Sequence, residues 1–220
     1  MTDAATITLA MMREKFTSAV VCDALDSVGR TRQSPRVQLR PYTTEGVLIG
    51  RAKCTLWADM SHVDPQPYEL ELKAVDSCRV DDVIIAAAGG SMKSGIWGEL
   101  LSTAAKNQGC IGTIVDGGVR DVRQMRAMGF AVFAKGTCIY DSKDRQRVID
   151  VDVPVEIDGV RFEPGDLVVA DEDGIVVVPR EVEAEVVRRA WDKVHAENIT
   201  RDAIRAGMGA AAAYKKYGVL

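Results

Sequence analysis

The 220-residue sequence predicts an α/β fold with helices layered on strands. Three observations carry that prediction. Val83–Ala88 is apolar on both faces, which suits a strand at the centre of a covered sheet. Two successive strand–glycine–helix junctions follow, within 83–107 and 112–128. From Val148 onward the texture changes to short strands with tight turns. No linker-like or low-complexity stretch divides the chain, so residues 1–220 are read as one domain with a helical arm over about 180–220.

From Ile7 to Val28, the residues Leu9, Met12, Phe16, Val20 and Leu25 recur at three- to five-residue spacing, which predicts one amphipathic helix ended by Gly29. A polar stretch with Pro35 and Pro41 leads to a strand over Gly46–Trp57, and helical spacing returns between Pro67 and Cys78. The apolar strand Val83–Ala88 is followed by a glycine-rich loop, Gly89–Gly98, and a helix over Glu99–Asn107. A second unit repeats that order: strand Gly112–Asp116, glycines Gly117 and Gly118, then Arg120-Asp121 at the start of a helix over 121–128. Strand Ala131–Ala134 closes a right-handed strand–helix–strand arrangement. Asp158-Gly159 and Asp173-Gly174 mark hairpins among strands at Val153–Ile157, Val160–Phe162, Asp166–Ala170 and Gly174–Pro179. A final helix from Pro179 to about Ala206 carries Val182, Val186, Val187, Ala190 and Val194 on one face; Gly207 breaks it, and an Ala-rich segment follows.

Composition narrows the function classes. Lys and Arg total 28 against 32 Asp and Glu, a net charge of −4, which argues against a constitutive nucleic-acid or anionic-membrane binder. A small anionic substrate needs only a local basic group. The apolar runs are too short to cross a bilayer, and Met1–Thr6 lacks the basic start of a secretory leader, so a cytoplasmic location is expected. Cys22, Cys54, Cys78, Cys110 and Cys138 form no Cys-x-x-Cys clip and are read as reduced thiols. His62 and His195 stand too far apart for a histidine-ligated metal. Lys93 in the glycine-rich stretch is a candidate for Schiff-base chemistry, for contact with a substrate anion, or for plain solvation. No Gly-Lys-Ser/Thr follows that stretch, which argues against a nucleotide hydrolase.

In a parallel sheet both junctions lie at the carboxyl ends of adjacent strands, so Glu99, Arg120 and Asp121 are expected to converge. An arginine offers a fork of donors to a carboxylate or enolate oxygen, and an adjacent aspartate suits a hard divalent cation that keeps several waters. The amides of Leu100 and Leu101, at a helix start, suit a carboxylate. The same residues also fit dipole compensation in a first helical turn and a surface ion pair.

Gly98-Glu99-Leu100-Leu101 followed by Gly109-x-x-Gly112-x-x-Val115-Asp116-Gly117-Gly118-Val119-Arg120-Asp121 resembles the signature of the family joining RraA-type regulators of ribonuclease E activity to class II 4-hydroxy-4-methyl-2-oxoglutarate aldolases. Similar features run from Val21-Cys22-Asp23-Ala24-Leu25 through Gly165-Asp166 and Asp171-x-Asp173-Gly174 to Lys216-Tyr217-Gly218-Val219-Leu220, so the resemblance spans nearly the whole chain. It implies the swivelling β/β/α domain similar to the phosphohistidine domain, assembled as a homotrimer or homohexamer with active sites at subunit interfaces. It also implies a metal-dependent lyase acting on a 2-oxo acid. In that scheme Asp121 ligates Mg2+ or Mn2+, Arg120 binds the 2-oxo oxygen, and Gly98 with the Leu100 and Leu101 amides holds the pyruvyl carboxylate. Glu99 orients or deprotonates a water on the metal, and Glu197 of a neighbouring subunit completes the site.

Two departures stand out. Glu99 occupies a position often held by Asp in the aldolases, and Gln124 replaces an acid three positions after Asp121, which removes negative charge from the metal's surroundings. The regulator branch tends to lose the Arg-Asp pair that this sequence keeps. The alternative function is a non-catalytic regulator that binds a ribonuclease or another protein. A methyltransferase is disfavoured, because no strand ends in a nucleoside-binding glycine loop followed by a ribose-binding acid.

Overall fold

The computed structural model describes residues 7–219; Met1–Thr6, read above for a leader, and Leu220, the last residue of the carboxyl-terminal motif, lie outside the described residues. The chain runs α1 (Leu9–Lys15), α2 (Ser18–Ser27), β1 (Arg40–Pro41), β2 (Leu48–Asp59), α3 (Glu69–Asp76), β3 (Asp82–Trp97), α4 (Glu99–Asn107), β4 (Gly112–Val119), α5 (Val122–Ala127), β5 (Ala131–Thr137), β6 (Gln146–Val151), β7 (Val155–Ile157), β8 (Val160–Phe162), β9 (Leu167–Ala170), β10 (Ile175–Val178), α6 (Glu183–Arg205) and α7 (Ala210–Tyr217).

The main sheet has the order β1-β5-β4-β3-β2-β9-β10, with β6 also pairing β2. Strands β2 to β5 are mutually parallel, while β1, β6, β9 and β10 join their neighbours antiparallel. The apolar run of β3 alternates between faces. Val83, Ile85 and Ala87 pack toward the β7–β8 hairpin with Val155, Ile157 and Phe162. Ile84, Ala86 and Ala88 pack toward α3, α4 and α5 with Val75, Ala105 and Met125. A third cluster joins α1, α2 and α6 to β9, β10 and Ile49. The layers are thus hairpin, sheet and helices, the β/β/α order that the family resemblance implies. Cys54, Cys78 and Cys110 are buried and Cys22 and Cys138 half-buried, all as free thiols.

Three expectations are corrected. The single helix over Ile7–Val28 is two, because Phe16 and Thr17 adopt extended backbone and the Thr17 hydroxyl accepts from the Val20 amide as a cap. The stretch Gly89–Trp97 is not a loop: β3 continues to Trp97, with register shifts against β4 after Ala87, Ser91 and Gly95. Gly95 in it permits close backbone approach, since a Cβ there would lie 2.3 Å from the Cys138 carbonyl oxygen, and from the β4 side a Cβ on Gly118 would lie 2.6 Å from the Ser94 carbonyl oxygen. Finally, the helix expected over 121–128 begins at Val122, with Asp121 preceding it in the left-handed region at φ 57°. Sequence reading also passed over β1 and β6.

Candidate active site

Strands β3 and β4 end side by side. Trp97 pairs with Val119 in register, and the Arg120 amide donates to the Trp97 carbonyl at 2.9 Å. The junctions that lead into α4 and α5 therefore meet at the carboxyl ends of two adjacent parallel strands, where a loop ligand site is expected. Between them opens a cavity of about 270 Å3, lined by Gly98, Leu100, Leu101, Arg120 and Asp121 from the two junctions and by Tyr68, Glu71, Asp141 and Ser142 from α3 and the segment after β5. A shallower hollow of about 350 Å3 adjoins it, with Arg120 and Asp121 common to both.

Asp121 reaches back to α4, its Oδ2 accepting from the Glu99 amide at 3.2 Å. That contact requires glycine at 98, since a Cβ there would stand 2.6 Å from the same oxygen. The next two amides of α4, those of Leu100 and Leu101, have no acceptor among the described residues, as the first turn of a helix dictates, and both residues line the cavity.

Arg120 donates through Nη2 to Asp141 Oδ2 at 2.8 Å and stands 3.8 Å, through Nε, from Asp121 Oδ2. Asp141 is itself held by the Tyr68 hydroxyl at 2.7 Å and the Lys143 amide at 2.8 Å. Partial burial works to raise the Asp141 pKa, but the Lys143 amide, the Tyr68 hydroxyl and the Arg120 guanidinium outweigh it and hold the carboxyl below its ordinary value. The Tyr68 phenol is pushed up to about 12 by burial and by donating to Asp141, so it stays protonated. Arg120 thus commits one nitrogen to a fixed anion, and no hydrogen bond from its Nη1 occurs among the described residues.

Glu71 is the second acid in this wall and is only 7% exposed. Burial, then the nearby Asp141 charge, push its carboxyl up to about 8 against the opposing pull of Ser142 and Arg120. Tyr68, Glu71, Asp141 and Ser142 were missed by sequence reading.

The other sequence-predicted residues stand apart from the cavity. The Glu99 carboxylate turns along α4 to accept from the Thr103 hydroxyl at 3.1 Å. Glu197, on α6, lies 3.7 Å from Lys193 and 3.6 Å from Arg201 and is remote from this pocket within its own chain. Gln124 is exposed on α5. Lys93 donates to the Met60 carbonyl at 2.7 Å. Among the described residues no group of three His, Cys, Asp or Glu side chains could hold a metal ion. The donor set at Asp121 is therefore one protein carboxylate, on a residue that lines the cavity. It fits a hard divalent ion that fills its other positions with waters and ligand oxygens, not an all-protein cage.

Comparison with known proteins gives a consistent picture. The model of the RraA-like family, described as Aldolase/RraA, matches residues 18–177. A Halalkalibacterium halodurans protein provisionally named 4-hydroxy-4-methyl-2-oxoglutarate aldolase is 30% identical over 194 residues, covering 88% of this chain and 87% of its own. Among solved structures, an uncharacterized Pseudomonas syringae protein superposes with a TM-score of 0.82 at 29% identity, covering 93% of this chain and 91% of its own. Streptomyces coelicolor RraAS2, described as an unusual member of the RNase ES inhibitor RraA family, superposes with a TM-score of 0.75 at 30% identity, covering 84% and 91%.

Proposed function

The chain belongs to the Aldolase/RraA family, and from that premise we propose that it is a divalent-metal-dependent lyase. It cleaves a 4-hydroxy-2-oxo dicarboxylic acid to pyruvate and a second 2-oxo acid by retro-aldol reaction, and it decarboxylates oxaloacetate as a related activity. The observation that carries this reading is a single cavity shared by an uncommitted face of Arg120, the Asp121 carboxylate and the unpaired amides of Leu100 and Leu101.

Each group has a task that its chemistry allows. The Leu100 and Leu101 amides, at the positive end of α4, hold the carboxylate of the pyruvyl fragment. Arg120 donates to the 2-oxo oxygen. As the C3–C4 bond breaks, its electron pair moves onto the C2–C3–O system, and the fixed guanidinium meets the growing charge on that oxygen; preorganised donors of this kind contribute about 3–4 kcal/mol. Tyr68 and Asp141 keep the guanidinium from turning away. Asp121 is the protein ligand for Mg2+ or Mn2+, which when bound supplies further Lewis-acid stabilisation of the enolate oxygen. Glu99, whose carboxylate turns along α4, is assigned the proton of the C4 hydroxyl, which it reaches by rotating off Thr103, and Glu197 of a neighbouring copy closes the site in a homotrimer or homohexamer. The engagement of Lys93 by Met60 and Ser61 supports metal-assisted rather than Schiff-base chemistry.

Pyruvate release from a panel of 4-hydroxy-2-oxo acids and from oxaloacetate tests the proposal. Turnover should require added Mg2+ or Mn2+, vanish on chelation and survive borohydride treatment in the presence of substrate. Covalent trapping on Lys93, or turnover indifferent to chelator, overturns the metal-dependent mechanism. A second reading, a non-catalytic regulator of a ribonuclease, draws on the 30% identity to the Streptomyces protein. Inhibition of a purified ribonuclease, together with no 2-oxo acid turnover under any metal, would favour it.

A further inference from the structure

We propose that Glu71 is a catalytic residue of this site, the acid that delivers a proton to C3 of the enolate and so forms the methyl group of pyruvate. The inference rests on the lyase reading and deepens it, because the groups discussed so far stabilise an enolate but none of them quenches it at carbon.

The geometry places Glu71 on the buried face of α3, which it shares with Ala74 and Val75. Glu71 lines the same cavity as Arg120, Leu100 and Leu101. No basic side chain forms an ion pair with it among the described residues. The charged groups lining the cavities beside it are Asp141 and Arg120, already paired with each other, Asp121, and on the β6 side Glu69 with Arg147 and Asp64, the last two likewise paired. A carboxyl enclosed in this way beside an anion keeps its proton near neutral pH, in line with the raised value noted above. It is an acid placed where a carbon needs one.

The step balances without any further reactant. After C3–C4 cleavage the enolate carries the electron pair across C2, C3 and oxygen. C3 takes the proton from the Glu71 carboxyl, the C2=C3 pair becomes the new C–H bond, and the C2=O double bond re-forms. Glu71 is left as carboxylate. In the retro-aldol direction it recovers the proton lost by the C4 hydroxyl, through solvent; in oxaloacetate decarboxylation it takes one from solvent, as the stoichiometry of that reaction requires. Microscopic reversibility gives the same group a second observable act: as carboxylate it removes a proton from the methyl group of bound pyruvate.

The test is hydrogen–deuterium exchange at the pyruvate methyl group, followed by NMR in D2O with Mg2+ present, beside oxaloacetate decarboxylation by the same samples. Wild type should do both. Glu71→Gln should lose exchange by about 100-fold or more, the usual worth of a positioned acid–base group. Its KM for oxaloacetate should stay within about threefold, and decarboxylation should fall less than exchange, because an enolate released to water is protonated there. A group that merely shapes the cavity would shift KM and leave exchange and decarboxylation in step. Should Glu71→Gln fail to fold, Glu71→Asp decides in its place: exchange reduced by about tenfold or more supports the assignment and unchanged exchange overturns it. Wild-type turnover combined with undiminished exchange in Glu71→Gln removes the role of Glu71 and leaves the lyase standing. Wild type inert in both assays removes the lyase and this inference together.

Discussion

The two ends of the parallel strands carry two hollows of different size and opposite character. At the amino ends of β2 and β3 lies the larger, about 710 Å3, with Arg51, Lys53, Arg79, Asp152, Arg180 and Glu183 in its wall. At the carboxyl ends of β3 and β4 lies the smaller, about 270 Å3, around Arg120. In the larger hollow two pairs of charges answer one another: Arg51 meets Glu183 through two bonds of 2.6 and 2.7 Å, and Lys53 meets Asp152 at 3.0 Å, while Arg180 donates to the Pro164 carbonyl and Arg79 has no ion pair among the described residues. In the smaller, Arg120 spends one nitrogen on Asp141, and Glu71 forms no ion pair among the described residues. A ligand entering the larger hollow meets arginines beside ion pairs already made, whereas one entering the smaller meets an arginine beside a buried acid that has no ion pair. That buried acid, rather than volume, distinguishes the smaller hollow as a site for chemistry.

The sharpest way to break this contrast is to remove one arginine from each hollow. Arg120→Ala, or Asp121→Ala, should lower oxaloacetate decarboxylation by about 100- to 1000-fold, the loss expected when a preorganised charge-stabilising group disappears. Arg79→Ala, at the mouth of the larger hollow, should leave turnover within about twofold. Circular dichroism checks that each variant is folded. If the two arginines exchange these phenotypes, the chemistry belongs at the amino ends of the strands and the assignment falls.

How much of this was visible beforehand depends on the distance over which the relevant contact acts. The parallel adjacency of β3 and β4 was legible because Val83–Ala88 is apolar on both faces and each strand leads through glycines into a helix, and the convergence of Arg120 and Asp121 with Leu100 and Leu101 follows from that order. The break at Phe16–Thr17 was written in a capping threonine but hidden by an apolar spacing that runs through it. The stretch from Gly89 was misread because glycine marks both loops and strands in which backbones approach closely, and only the partner strand distinguishes them. Asp141 was beyond reach: its partners Tyr68 and Arg120 lie 73 and 21 residues away with no periodic pattern to link them. Glu71 was within reach. It occupies the apolar face of α3, three and four residues before the buried Ala74 and Val75, and an acid on an apolar stripe is a signal in its own right.

That signal gives the next comparison, between acids rather than cavities. The folded-state pKa of Glu71 lies near 8, above the ordinary value of 4.5. Its burial is therefore tolerated in full below the unfolded pKa, and stability is lost as pH rises from about 4.5 through about 8, because the folded protein must then either hold a buried charge or release it. Wild type should lose on the order of 2–4 kcal/mol between pH 5 and pH 9 from this group, and Glu71→Gln should escape that part of the loss. Urea unfolding at the two pH values reads the difference directly. A Glu71→Gln variant no better than wild type at pH 9 would mean that the carboxyl ionises freely, which would erase its contrast with the paired acids of the larger hollow.

The smallest expected effect comes from the larger hollow. Lys53 is 5% exposed, while the side chain of Asp152, which neutralises it, is half exposed. Asp152→Asn is the informative variant, because Asp152 sits at φ 57° and asparagine tolerates the left-handed region as well as aspartate does. The backbone is then undisturbed and only the charge is lost. The ammonium of Lys53 remains buried with Asp82 and the Arg51-paired Glu183 as the other carboxylates in the same wall. A fully buried pair broken on one side costs about 3–5 kcal/mol, and water reaching Asp152 already screens part of this one, so a loss of about 1–2 kcal/mol is expected by urea unfolding. Turnover should be unchanged, because the pair lies at the opposite end of the strands from Arg120. If Asp152→Asn instead cut turnover tenfold at undiminished stability, the ion pairs of the larger hollow would be poised for a ligand after all, and the division between structural and chemical charge in this fold would have to be redrawn.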